Sequence, residues 1–184
     1  MRFFTRDWFS GELDDDARAR VIADYRRHLR RVSPFLPPGA RELAGSVPRF
    51  AVHDSYFESV TVDELDRTVH LELINCPDPE GWGTLVADFS DARLLEPGRE
   101  DLVELASDPQ SAILHPEIDV VEGSKGMAEL RMLGFYGRRN RERRPPAPFG
   151  LAVIVLRFAA VRLTWHPRSA PDDEPPRAQV LLRP

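Results

Sequence analysis

The sequence predicts an α+β domain, with an N-terminal helical arm packed on a curved, mainly antiparallel sheet of about six strands, half-barrel or sandwich-like. Three observations predict it. Apolar residues recur at the 3.6-residue period between positions 14 and 32, and at period two from Val52 onward. The longest purely apolar run, 151–156, is far shorter than the roughly 20 residues a membrane helix needs. Residues 1–50 are expected to form the arm, 51–167 the antiparallel domain and 168–184 a Pro-rich tail, all within one compact domain.

Taken in order, Phe3, Phe4, Trp8 and Phe9 gather around Thr5 and read as an aromatic anchor that docks on the core, with Thr5 as a cap and Asp7 behind it. Asp14-Asp15-Asp16 opens an amphipathic helix over 14–32. Ala17, Val21, Tyr25 and Leu29 form its stripe, widened by Ile22 and Val32. Acids sit at its start, and Arg27, His28, Arg30 and Arg31 at its end, as the helix dipole favours. Pro34 and Pro37-Pro38-Gly39 stop it, and a short helix over 40–44 is allowed before Pro48.

From Val52 the alternation through Val62, then from Val69 through Leu73, reads as a hairpin. A strand over 84–89 follows, extended by Arg93-Leu94-Leu95 past a bulge, then a helical stretch over 98–107. Residues 127–135 alternate again. Gly123-Ser124-Lys125-Gly126 reads as a turn between strands rather than a phosphate loop. The strong strands 151–158 and 161–166 are either a hairpin about Ala159-Ala160 or one long bent strand, and 178–182 adds an edge strand. Trp165 alternates with Val161 and Leu163 and is expected in the core.

Charge is partitioned along the chain. Residues 54–122 hold 18 Asp/Glu and three Arg, a balance of −15, between ends of +3 and +7 that bring the whole to −5. The Arg-rich outer face of the helix is expected to lie along the acidic rim of the sheet. Of the 25 basic residues only Lys125 is lysine, a bias that points to a GC-rich bacterial genome. One cysteine, Cys76, excludes an internal disulfide and a Cys-rich zinc site, and the first residues lack a secretory core, so a cytoplasmic protein is expected.

The best polar cluster is His53-Asp54-Ser55. Asp54 could orient His53 as a base, or His53 and Asp54 could bind a metal with His115 and Glu117. In the plain structural alternative Asp54 and Ser55 bond backbone amides in an Asx-type turn. His53, Asp54 and Glu117 are therefore the catalytic candidates. Nucleophile elbow, His-Glu-x-x-His and Walker loop are all missing from the sequence. Arg138, Arg139, Arg141, Arg143 and Arg144 form the one dense basic run, a candidate partner-binding loop.

Phe3-Phe4-Thr5-Arg6-Asp7-Trp8-Phe9, His53-Asp54-Ser55, and Leu114-His115-Pro116-Glu117-Ile118 followed by Met127-Ala128-Glu129-Leu130 together resemble motifs of a bacterial family, domain of unknown function 4085. That resemblance implies an α+β fold and brings no activity with it. The expected function is a non-enzymatic protein-interaction module, immunity-like by analogy with small α+β proteins that neutralise toxins. It needs no cofactor and no membrane, and its oligomeric state is open. Two alternatives stand beside it: a small-molecule enzyme or metal-dependent hydrolase using His53, Asp54, His115 and Glu117, and a weak nucleic-acid binder through the 138–144 loop.

Overall fold

The computed structural model describes residues 2–5, 7–8, 12–46, 50, 52–75, 81–96, 98–109, 111–135, 151–169 and 179–183. The Arg loop 138–144, Phe9 and Cys76 lie outside them.

The first helix, α1, spans Asp15–Val32. Asp14 caps it, Oδ1 accepting the Ala17 amide at 2.7 Å, with Asp15 and Asp16 in the first turn and Arg30 and Arg31 in the last. A 3-10 turn, Ser33–Phe35, and Pro37-Pro38 end it. Gly39 then turns the chain at φ +78°, against the sheet. A Cβ there would stand 1.7 Å from the Val161 carbonyl oxygen, so no other residue fits. A short π-helical turn, Glu42–Ser46, follows, with Ala40 and Leu43 buried at its root.

Nine strands follow: β1 (Ser55–Asp63), β2 (Thr68–Asn75), β3 (Gly83–Ser90), β4 (Arg93–Glu96), β5 (Ala112–Val120), β6 (Ala128–Phe135), β7 (Leu151–Phe158), β8 (Ala160–Pro167) and β9 (Gln179–Arg183). A second helix, α2, spans Arg99–Ser107 between β4 and β5. The spatial order is β4-β7-β6-β5-β1-β2-β3-β8, antiparallel throughout, with β9 parallel to β1. About six strands were expected; the surplus comes from β4 and β5, and from β9, which the sequence offered as an additional edge strand.

The sheet folds back on itself without closing. β1 and β5 share only two residue pairs, Ser55 with Ile113 and Tyr56 with Ala112, so the sheet turns at that corner. Beyond it, the same edge of β1 pairs with β9 instead, from Ser59 with Gln179 to Asp63 with Arg183. The second corner is the bend at Ala159. Residues 151–167 are one long strand broken there, β7 lying beside β6 and β8 beside β3, which decides between the two alternatives the sequence left open. Ala159 N donates to Ser90 O at 3.0 Å, and the rings of Phe89 on β3 and Phe158 on β7 meet edge-on at 4.9 Å. The inner faces of both halves thus bury one core, including Leu71, Leu73, Leu85, Leu130, Met132 and Leu156.

Three local expectations need correction. Residues 93–96 do not prolong β3; they pair with β7 in the other half, because Ala92 N is held by Arg67 O at 2.7 Å and the chain turns there. Trp165 is half-buried and packs on the core from its margin, over Gly83, which leaves room for the indole. Among the described residues, the expected meeting of helical arginines with an acidic rim is replaced by pairs made on the sheet itself. Arg162 holds Asp88 at 2.9 Å and Arg168 holds Glu58 at 2.8 Å, so arginines of the basic C-terminal block neutralise acids of the middle block across the strands. The turn around Gly123 and Gly126, both at positive φ, joins β5 to β6 as expected. None of the helices among the described residues is long and apolar enough to cross a membrane.

Candidate functional site

The chemistry-bearing residues collect around β5, which the sequence did not announce as a strand. Register explains how. Ile113 faces Gly134, yet His115 faces Leu133, so one extra residue, Leu114, bulges between them. The bulge puts Ile113 on the core side and turns His115 to the outer face. Glu117 and Asp119 follow on that outer face by alternation.

The arm packs on this outer face. Phe4 stacks on the His115 ring at 4.6 Å, and Trp8 meets that ring edge-on at 5.9 Å. Phe3 and Phe4 both pack against Tyr25 of α1, at 5.3 and 5.1 Å. Phe3, Phe4 and Trp8 of the aromatic anchor do dock, but on this outer face and against α1 rather than on the core between the two halves, because the bulge turns His115 outward to meet them.

Glu117 is the pin of that docking. Its side chain is buried, and its carboxylate accepts three main-chain amides: Arg2 at 2.7 Å, Phe3 at 2.6 Å and Phe4 at 2.6 Å. Successive amides converging on one carboxylate form an anion-binding concavity, here closed by the protein's own acid. Both oxygens of Glu117 are thereby engaged. Next to it the Tyr25 hydroxyl accepts the Ile118 amide at 3.0 Å, on the stretch of β5 that has left β1. Burial, which disfavours the phenolate, raises the Tyr25 pKa well above its ordinary value despite that hydrogen bond, and the charges of Glu117 and Asp119 add to the rise.

His28 of α1 is buried in the same layer. Arg31 can only donate to its Nδ1, at 3.1 Å, so the imidazole proton sits on Nε2, facing Asp119 at 3.3 Å. The buried Glu129 on β6 is held by Arg131 and by Arg157, the latter at 2.6 Å.

The candidates His53, Asp54 and His115 do come together. Asp54 lies at φ +55° in the turn before β1, and its Oδ2 is 2.8 Å from His53 Nδ1. His53 Nε2 is 3.2 Å from His115 Nε2. The result is a line of three groups, Asp54–His53–His115, running from solvent to the aromatic arm. Burial against Phe4 and Trp8 pushes the His115 pKa down to about 3, and the charge of His53 works in the same direction, so its imidazole is neutral at physiological pH. The pair is satisfied when His53 donates from Nδ1 to Asp54 and one of the two Nε2 atoms donates to the other.

Glu117 is on the same strand face as His115 but belongs to the arm. The four-residue metal set is not assembled: among the described residues no three His, Cys, Asp or Glu side chains are grouped to hold an ion. Nor is the structural alternative for the turn seen as expected. The Ser55 side chain is buried and its Oγ has no hydrogen-bond partner among the described residues, while the Asp54 carboxylate takes the His53 ring.

Sequence reasoning missed two features. One is a line of polar groups on the outer face of β1-β2-β3-β8. Ser59 donates to Glu72 at 2.6 Å, and His70 stands between Glu72 at 3.4 Å and Asp88 at 2.7 Å. Burial works against ionisation of Asp88, but hydrogen bonds from His70 and Arg162, and their charges, hold its carboxyl below the ordinary value. The signal was available in the alternation, since Ser59, Thr61, His70, Glu72 and Asp88 are the polar members of half-buried strands. The other is a groove of about 380 Å³ at the C-terminal end of α1, floored by Leu29, Leu36 and Ala44 and rimmed by Arg26, Arg30 and Arg41. Arg41 is fixed on the rim by its Nε bond to Ser33 O at 2.7 Å, and the Phe35 ring stands exposed in the adjoining 3-10 turn.

No family model, curated protein or solved structure matches this chain.

Proposed function

We propose that this protein is a non-enzymatic interaction module that docks an acidic, apolar-tipped segment of a partner protein in the groove at the end of α1. The groove carries the proposal. An apolar floor ringed by Arg26, Arg30 and Arg41, with Phe35 (68 % exposed) beside it, combines an apolar contact with guanidinium donors suited to carboxylates. Arg26 and Arg30 are one helical turn apart and point along one face. The catalytic alternative loses support because Glu117 is spent on three arm amides. An immunity-like role, with a toxin as the acidic partner, is the sharpest form of the proposal and rests on analogy of make-up.

The test is capture from native lysate at two salt concentrations, with wild type and Arg26→Glu/Arg30→Glu as bait. The expected result is one stoichiometric protein that wild type retains at low salt, loses at high salt, and that the double variant does not retain. Absence of a stoichiometric partner, or its undiminished retention by the double variant, overturns the proposal.

A further inference from the structure

The facing imidazoles of His53 and His115 have a use that the docking groove does not involve. Two nitrogen ligands on one tetrahedral ion, each at 2.0–2.1 Å, stand about 3.3 Å apart. The two Nε2 atoms are 3.2 Å apart. They sit at the mouth of the β1–β5 corner, where the chain brings the turn before β1 against the bulged stretch of β5. We propose that His53 and His115 form a two-histidine chelate for one divalent transition-metal ion of the copper, nickel and zinc class, with water completing its coordination.

Three further observations favour it. Asp54 Oδ2 faces His53 Nδ1 at 2.8 Å, the carboxylate–histidine arrangement that fixes the tautomer leaving Nε2 free to ligate and raises ligand basicity. His115 is held on its far side by the stacked Phe4 ring, so one ligand is preorganised. His53 is the adaptable one. Its side chain is 44 % exposed, and the rings are tilted by 54° with centroids 4.1 Å apart, so the His53 ring must swing outward from His115 for both lone pairs to converge on one ion. With nitrogen ligands and no thiolate the site selects copper over nickel and zinc by intrinsic affinity, and disfavours magnesium and calcium.

The experiment uses the untagged full chain, titrated with copper(II), nickel(II) and zinc(II) chlorides by calorimetry. Tryptophan fluorescence is a second readout, because Trp8 lies edge-on to His115 at 5.9 Å and a bound copper ion quenches it. One ion per chain is expected, with copper tightest and magnesium silent. His53→Gln lies on the surface and leaves the core intact, so its thermal melt without metal should match wild type while its metal affinity falls at least ~10-fold. Asp54→Asn should weaken binding by about 10-fold, as removal of a supporting carboxylate does elsewhere. Absence of binding up to millimolar metal overturns the proposal. So does equal stoichiometry and affinity in a His53→Gln/His115→Gln variant, since His70 and His166 would then account for the uptake.

Discussion

The two halves of the sheet have the same inner face and opposite outer ones. On β1-β2-β3-β8 the outer polar groups pair across strands, Ser59 with Glu72, His70 with Asp88 and Asp88 with Arg162, while about a third or more of the Glu72, His70, Asp88 and Arg162 side chains stays in solvent. On β5-β6-β7 the outer groups lie under the arm and α1. Glu117 and Glu129 keep only 4 % and 6 % exposure, and His28 keeps 6 %. The chemistry of the residues is similar; the covering differs. A solvated charge can lose its partner and be rehydrated, whereas a covered one cannot, so the same kind of hydrogen bond matters far more in the second half.

The strongest way to break this comparison is Glu117→Ala. It strips three amides of their acceptor under the arm and is expected to cost about 3 kcal/mol or more, read by urea unfolding. A loss under about 1 kcal/mol would mean the arm does not depend on that carboxylate. Tyr25→Phe comes next, since it leaves the buried Ile118 amide without its hydroxyl, at an expected cost of about 1–2 kcal/mol.

A pH experiment sharpens the solvated half. Asp88 has a lowered pKa in the fold, so on acidification the unfolded chain takes up this proton first. Its contribution is complete above the ordinary carboxylate range and disappears as pH falls through that range to the lower folded value. Asp88→Asn should flatten that part of the melting-temperature profile; an unchanged slope would remove Asp88 from the account. The smallest effect expected is Arg162→Ala, about 0.2–1 kcal/mol and reduced by salt, because its side chain is 80 % exposed. If Arg162→Ala cost as much as Glu117→Ala, covering would not be what separates the halves.

Legibility in the sequence follows the range of the interaction. α1 could be read to within a residue, because Asp14, the 3.6 stripe and the Pro34 stop act within one or two turns. β1, β2, β3, β6 and β7 were readable from alternation or apolar runs. β5 was not: Pro116 and three polar residues interrupt it, and it is covered on both faces, so its pattern carries no clean alternation. The candidate site was half legible. His53, Asp54 and His115 stood out as rare groups in turn and strand settings, and they meet. Glu117 was grouped with them by spacing alone, and nothing local revealed that the amides of Arg2, Phe3 and Phe4, over 110 positions away, would claim it.

The chain by itself determined its α+β class, the amphipathic rod of α1, the turn at Gly123 and Gly126, and the absence of an internal disulfide, since these follow from local pattern and composition. Tertiary structure alone decided that residues 151–167 bend from one half of the sheet to the other, that a bulge at Leu114 turns His115 outward, and that the arm covers Glu117. These outcomes depend on strand register and on which face is shielded from water, and both are properties of contacts between segments far apart along the chain.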